Sequence, residues 1–132
     1  MFVWAAIVAV TIVATRDYMR VQAAREQYEW MQAAKEAGRV PFSAVVASSF
    51  RLMDVEQSAI WISRSAAASR HVARLKELLR QAVNPLTEAS SEEMKRRADF
   101  ILDEIRKHDP DEADKLAKNL PNWMKQEAAG EP

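Results

Sequence analysis

The chain has 132 residues, enough for one domain and too few for two large ones. It carries 19 Lys+Arg against 19 Asp+Glu, no Cys, two Gly, five Pro and 48% apolar residues. Two glycines exclude a glycine-rich phosphate cradle, and the missing cysteines exclude disulfides, thiolate zinc sites and cysteine nucleophiles. The apolar share is enough for a small core, which argues against wholesale disorder.

The neutral total hides a pattern. Residues 1–40 sum to +1, residues 41–85 to +3 and residues 86–132 to −4. A weakly basic body is followed by an acidic tail. The tail is expected either to fold back on the body, to recruit a basic partner, or simply to present solvated faces.

Residues 1–15 (MFVWAAIVAVTIVAT) hold no charged side chain. As a helix they span roughly 22 Å, short of a hydrocarbon core of roughly 30 Å. Three readings fit: a membrane anchor, a signal-like segment or a buried helix. A signal peptide begins with a basic region, which is missing here, and an upstream start would account for both that gap and the short span.

Neither Gly nor Pro interrupts residues 1–37, so helix is expected to continue into Arg16–Ala37. There Val21, Ala24, Tyr28 and Met31 recur at helical spacing. Gly38 is suited to end the helix in the left-handed conformation. Pro41 is suited to the first position of the next one. From Phe42 to Asn84 there is again no Gly or Pro. Val46, Phe50, Met53 and Ile60 mark one apolar face, continued by Val72, Leu75, Leu79 and Ala82. A connection as short as Gly38–Pro41 makes the two helices antiparallel neighbours.

Length sharpens this. A straight second helix would carry Arg64, Arg70, Arg74, Lys76 and Arg80 alongside the apolar segment, where each charge costs about 2.5–3.5 kcal/mol at a bilayer centre. If residues 1–15 are an anchor, the second helix must therefore bend. Ser63–Ser69, rich in small residues and hydroxyls, is the expected place.

The last third reads as capped helices. Ser90 with Glu93 forms a capping box, and Met94, Ala98, Ile101 and Ile105 follow at helical spacing. Asp109-Pro110-Asp111-Glu112 repeats the start signal, and Asn119-Leu120-Pro121 stops the helix. Asn84–Ser90 is the expected linker, Trp123-Met124 an apolar tag, and Gln126–Pro132 a disordered end. The fold expected is all-α: a long antiparallel hairpin over residues 16–84, an apolar anchor or signal-like helix over 1–15, and short capped helices in an acidic tail over 85–132.

Sites of chemistry are sparse. His71 and His108 lack the Glu-x-x-His and His-Glu-x-x-His patterns, so His71 reads as a surface or seam residue and His108 as a helix-end cation. The acids of 109–114 lack the central glycine and alternate spacing of a calcium loop. Lys95-Arg96-Arg97 sits among acids with no aromatic platform for nucleic acid. The basic stripe from Arg64 to Arg80 is either a solvated face or a contact for anionic headgroups. No sequence spacing pairs a nucleophile with a base. The expectation is a protein that is not an enzyme, with no catalytic residue, cofactor, metal, nucleic acid or small-molecule substrate.

The run AKEAGRVPFSAVVASSFRLMDVEQSAI (residues 33–60) resembles the helical hairpin of TolC-like outer-membrane efflux proteins. The matching features are Gly38, Val45-Val46, Leu52 and Glu56, with a basic continuation over His71–Val83. The resemblance spans Tyr28–Val83, 56 residues. The resemblance implies a periplasm-facing envelope hairpin. It cannot imply the channel, because the family builds that from a β-barrel and an α-barrel, and this sequence has no strand pattern.

Arg16, Arg20 and Arg25 point the other way, since the positive-inside rule puts them in the cytoplasm. The functional expectation is a membrane-anchored structural or interaction subunit of the cell envelope. It would meet partner helices or a second copy through Val21, Tyr28, Met31, Phe50, Met53, Ile60, Leu75 and Leu79, around a turn of Gly38 and Pro41. The alternatives are an accessory or divergent fragment of a TolC-like efflux system, and a small enzyme.

Overall fold

The structure is a computed structural model that describes residues 2–84 and 89–121. Parts of the expected linker at Asn84–Ser90, the Trp123-Met124 tag and the Gln126–Pro132 end lie outside the described residues. The fold is all-helical, and among the described residues there is no strand. Among the described residues five helices follow in order: α1 (Phe2–Glu36), α2 (Phe42–Ser58), α3 (Arg64–Ala82), α4 (Ser91–His108) and α5 (Pro110–Lys118). The chain divides into two compact units, residues 1–71 and 72–132. The division falls inside α3 and not at the sequence linker.

In the first unit α1 and α2 pack as an antiparallel hairpin. The turn closes as expected, with Gly38 at φ +74°. Its N–H donates to the carbonyl of Lys35 at 2.9 Å, and the N–H of Arg39 donates to that of Ala34 at 2.8 Å. These are the two bonds of a Schellman ending, which answers carbonyls that the helix end would otherwise orphan. A Cβ built on Gly38 meets nothing within 4 Å. Pro41 is the N-cap of α2 and not its first helical residue; its ψ of 162° is extended. Lys35 sits over the ring of buried Phe42, 5.3 Å from its centroid, and clamps the two sides of the turn.

The apolar stripe of α1 is buried at Val21, Ala24 and Tyr28, while Met31 is only half-buried. On α2, Val46 and Met53 are buried and Phe50 is half-buried. Ile60 departs from its expected place: its side chain is 59% exposed. Helical spacing does not reach it, because α2 has already ended at Ser58.

The second helix does break, but earlier than Ser63–Ser69. Residues 59–63 are non-helical and residues 64–69 belong to α3. Three adjacent residues, Ile60, Trp61 and Ile62, lose side-chain freedom in a helix, which weakens it here. Ser63 does not bend the helix by bonding back to a carbonyl. Its hydroxyl accepts from the N–H of Ala66 at 3.1 Å and so starts α3. The N–H of Ile60, freed by the break, donates to the Asp17 carboxylate at 3.1 Å. Ala59 and Ile62 tuck inward against Val21 and Ala67, while Ile60 and Trp61 face out.

Packing along α1 starts at this corner. Asp17 is the first buried residue of the helix, and Phe2–Val13 stands clear of the packed body, with Phe2 93% exposed. Over an 18-residue window α1 has a mean hydropathy of 1.5, enough in length and composition to cross a membrane.

The second unit buries apolar residues from three helices: Val72, Leu75, Leu78, Leu79 and Ala82 of α3, Met94, Ala98, Ile101 and Ile105 of α4, and Ala113 of α5. Its caps form as the sequence indicates. Ser90 accepts from the N–H of Glu93 and Asp109 from that of Glu112, each at 3.2 Å. Lys76 of α3 meets Glu112 of α5 at 2.8 Å, so a basic residue before position 85 pairs with an acid of the tail.

Two predictions follow from these contacts. Asp17→Ala strands the Ile60 N–H and should cost about 1–3 kcal/mol in urea unfolding, with Asp17→Asn recovering much of the loss. The Lys76 ammonium, by hydrogen bonding first and by charge second, holds the Glu112 carboxyl below its usual 4.5. A carboxyl lowered by folding stabilises the fold above its unfolded value. That stabilisation fades as pH falls through the lowered folded one. Glu112→Gln should therefore flatten the acid limb of the stability-versus-pH curve below pH 4.5.

Candidate functional site

The buried polar residues of the first unit form a constellation with chemical potential. Glu56 lies on the inner face of α2 and is fully buried. Its Oε2 accepts from Nη1 of Arg70 at 2.7 Å and lies 3.7 Å from Nη2 of Arg25. One carboxylate thus takes cations from α1 and from the start of α3. Both arginines keep roughly half their side chains in solvent. Their aliphatic stems bury while the guanidinium heads remain partly hydrated.

About two helical turns earlier on α2, Ser49 is also fully buried. Its hydroxyl lies 3.0 Å from Nδ1 of His71, which is fully buried as well. The ring of Phe50 packs against the imidazole, with centroids 4.8 Å apart and planes tilted by 58°. His71 is therefore no surface residue. The fold also supplies a serine–histidine juxtaposition that no sequence spacing gave, since the two positions are 22 residues apart.

The geometry limits what that pair can do. A nucleophile must reach a substrate carbonyl or phosphoryl group, with room for the attacked atom about 3 Å away. Ser49 and His71 have no accessible surface through which a substrate could approach. The hydroxyl and Nδ1 of the imidazole meet each other across two helices, a pairing that buried polar atoms require. Glu56 fits the same reading, because a buried carboxylate is tolerated when charged donors meet it.

The expected packing residues divide by position. Val21, Tyr28 and Met53 are buried in the first unit, with Met31 and Phe50 half-buried; Leu75 and Leu79 are buried in the second. Ile60 is at the surface. Sequence reading missed Glu56 and Ser49 as interior polar residues. The signal for Glu56 was there: it lies four residues from Leu52, on the face that Val45 and Leu52 bury. No family model, curated protein or solved structure matches the chain.

The two arginines should differ in weight. Arg70→Met removes the shorter of the two arginine contacts to Glu56 and keeps Arg25 at 3.7 Å. It should cost about 3 kcal/mol, the low end for breaking a buried pair, because Arg70 is itself half-hydrated. Arg25→Met should cost less. The double variant Glu56→Leu with Arg70→Met should be more stable than Arg70→Met alone, as read from urea midpoints.

Proposed function

We propose that the protein is a membrane-anchored, non-catalytic helical subunit, held by the N-terminal part of α1 and presenting the hairpin to partner helices or to a second copy. The observation that carries this reading is the bare apolar rod. Helix α1 runs without interruption from Phe2, yet its first buried residue is Asp17. In water so long an apolar helix surface is costly, whereas hydrocarbon accepts it and the helix satisfies its own backbone.

A second observation agrees with it. The hairpin's second arm breaks at residues 59–63, level with Asp17. Arg70 of α3 is thereby held at Glu56, beside Arg25, and not along the apolar rod, where it would cost several kcal/mol. The non-catalytic part rests on the sealed Ser49–His71 pair. Exposed Arg16, Arg20 and Arg64 beside the rod favour a body on the cytoplasmic side.

Fractionation tests this. The full chain should pellet with membranes after alkaline carbonate washing, and sequencing should recover the apolar segment in the mature protein. Val8→Lys should weaken insertion by about 2.5–3.5 kcal/mol and move protein to the soluble fraction. A soluble chain whose sequence begins after Thr15 would overturn the anchor. Protection of the body from external protease in intact cells is the result expected for the cytoplasmic side.

A further inference from the structure

We infer that the corner between α2 and α3 is a second membrane contact, a collar that seats the body on the lipid headgroups where the anchor leaves the bilayer. The inference rests on the anchor reading above and goes beyond it, since an anchor alone leaves the body free in solvent.

The corner is two-faced. Ala59 and Ile62 are buried against Val21, so the inner face is spoken for by the core. Ile60 and Trp61 are left outside, 59% and 46% exposed. Beside them on α1 stands Tyr18, itself largely exposed, its ring 6.4 Å from that of Trp61. An exposed isoleucine, tryptophan and tyrosine gathered at one level are costly in water. The bilayer interface is where tyrosine and tryptophan are favoured, because each has an apolar body and a polar tip.

The level is the right one. Tyr18 lies three residues past Thr15, the last uncharged position, or about 4–5 Å along the helix axis. The collar therefore continues directly from the exposed apolar surface of α1. Its charge is also suited to lipid. Arg16, Arg20 and Arg64 are exposed around it, whereas the nearby Asp17 is turned inward and occupied by the Ile60 N–H. Cations at the surface and an acid withdrawn from it match an anionic headgroup layer. The break thus does more than divert α3: it turns two apolar side chains outward at the depth where lipid accepts them.

The test uses the full chain in vesicles of mixed phosphatidylcholine and phosphatidylglycerol carrying brominated acyl chains, which quench tryptophan at bilayer depth. There are four tryptophans, so single-tryptophan variants are made by Trp→Phe replacement of the others. Trp61 alone should shift to the blue and lose most of its emission. Trp4 alone should do the same. Trp30, exposed but about 18 Å further along α1 from Tyr18, should be unaffected.

Quenching of Trp4 without quenching of Trp61 overturns the collar and leaves the anchor standing. An unquenched Trp4 overturns the anchor itself. A Trp61 shifted to the blue, unquenched, and dependent on the protein-to-lipid ratio overturns the lipid contact in favour of a second copy. The native chain has no cysteine. Trp61→Cys carrying an environment-sensitive dye therefore gives an independent reading should a Trp→Phe variant fail to fold; a dye left in water overturns the collar.

Discussion

A carboxylate sealed from solvent has to be answered from within the fold, and the first unit is arranged around answering Glu56. The group sits on α2 and draws a guanidinium from α1 on one side and from the first turns of α3 on the other. Apolar contacts alone would let the hairpin arms slide by a turn at modest cost. A buried charge tolerates no such slip, because each displaced arginine would leave it uncompensated. The serine–histidine pair, about two turns earlier on α2, adds a second polar register mark between α2 and α3. Together they fix which turn of each helix faces which, a use of buried polar groups known from helical bundles.

With the register fixed, the corner at residues 59–63 falls opposite Asp17. Three features of the corner then come from one geometry. The freed amide of Ile60 finds a carboxylate, Ala59 and Ile62 find the core, and Ile60 and Trp61 are turned out. The apolar rod begins where this corner stops. The boundary between the packed body and the bare helix is thus drawn by tertiary contacts at Asp17, and the uncharged stretch of sequence ends only two residues away.

Legibility in the sequence followed the range of the interaction. The caps at Ser90 and Asp109, the ending at Gly38 and the stripe of α4 are local, set by residues within a few positions of one another, and all stand where spacing puts them. The need for a break in the second helix was legible from charge and length, but its place was not. Small residues at Ser63–Ser69 looked weakest by composition. The corner formed earlier because Asp17, more than forty residues away, rewards a free amide at Ile60. Ser49 meets His71 for a similar non-local reason. The features behind the efflux resemblance each have work to do within this fold: Gly38 ends α1, Val45, Val46 and Leu52 are buried, and Glu56 takes two arginines. Any hairpin built under the same constraints would present them.

The turn at Gly38 carries a consequence about handedness. Its φ is positive, yet space around a Cβ at that position is open. Crowding therefore does not select glycine there; the mirror sense of the backbone does, at about 1–2 kcal/mol against an L-residue. A residue of the opposite chirality would not meet the backbone obstacle. D-Alanine at position 38, introduced by chemical synthesis, belongs to this turn more naturally than glycine, since it would also narrow the freedom of the unfolded chain.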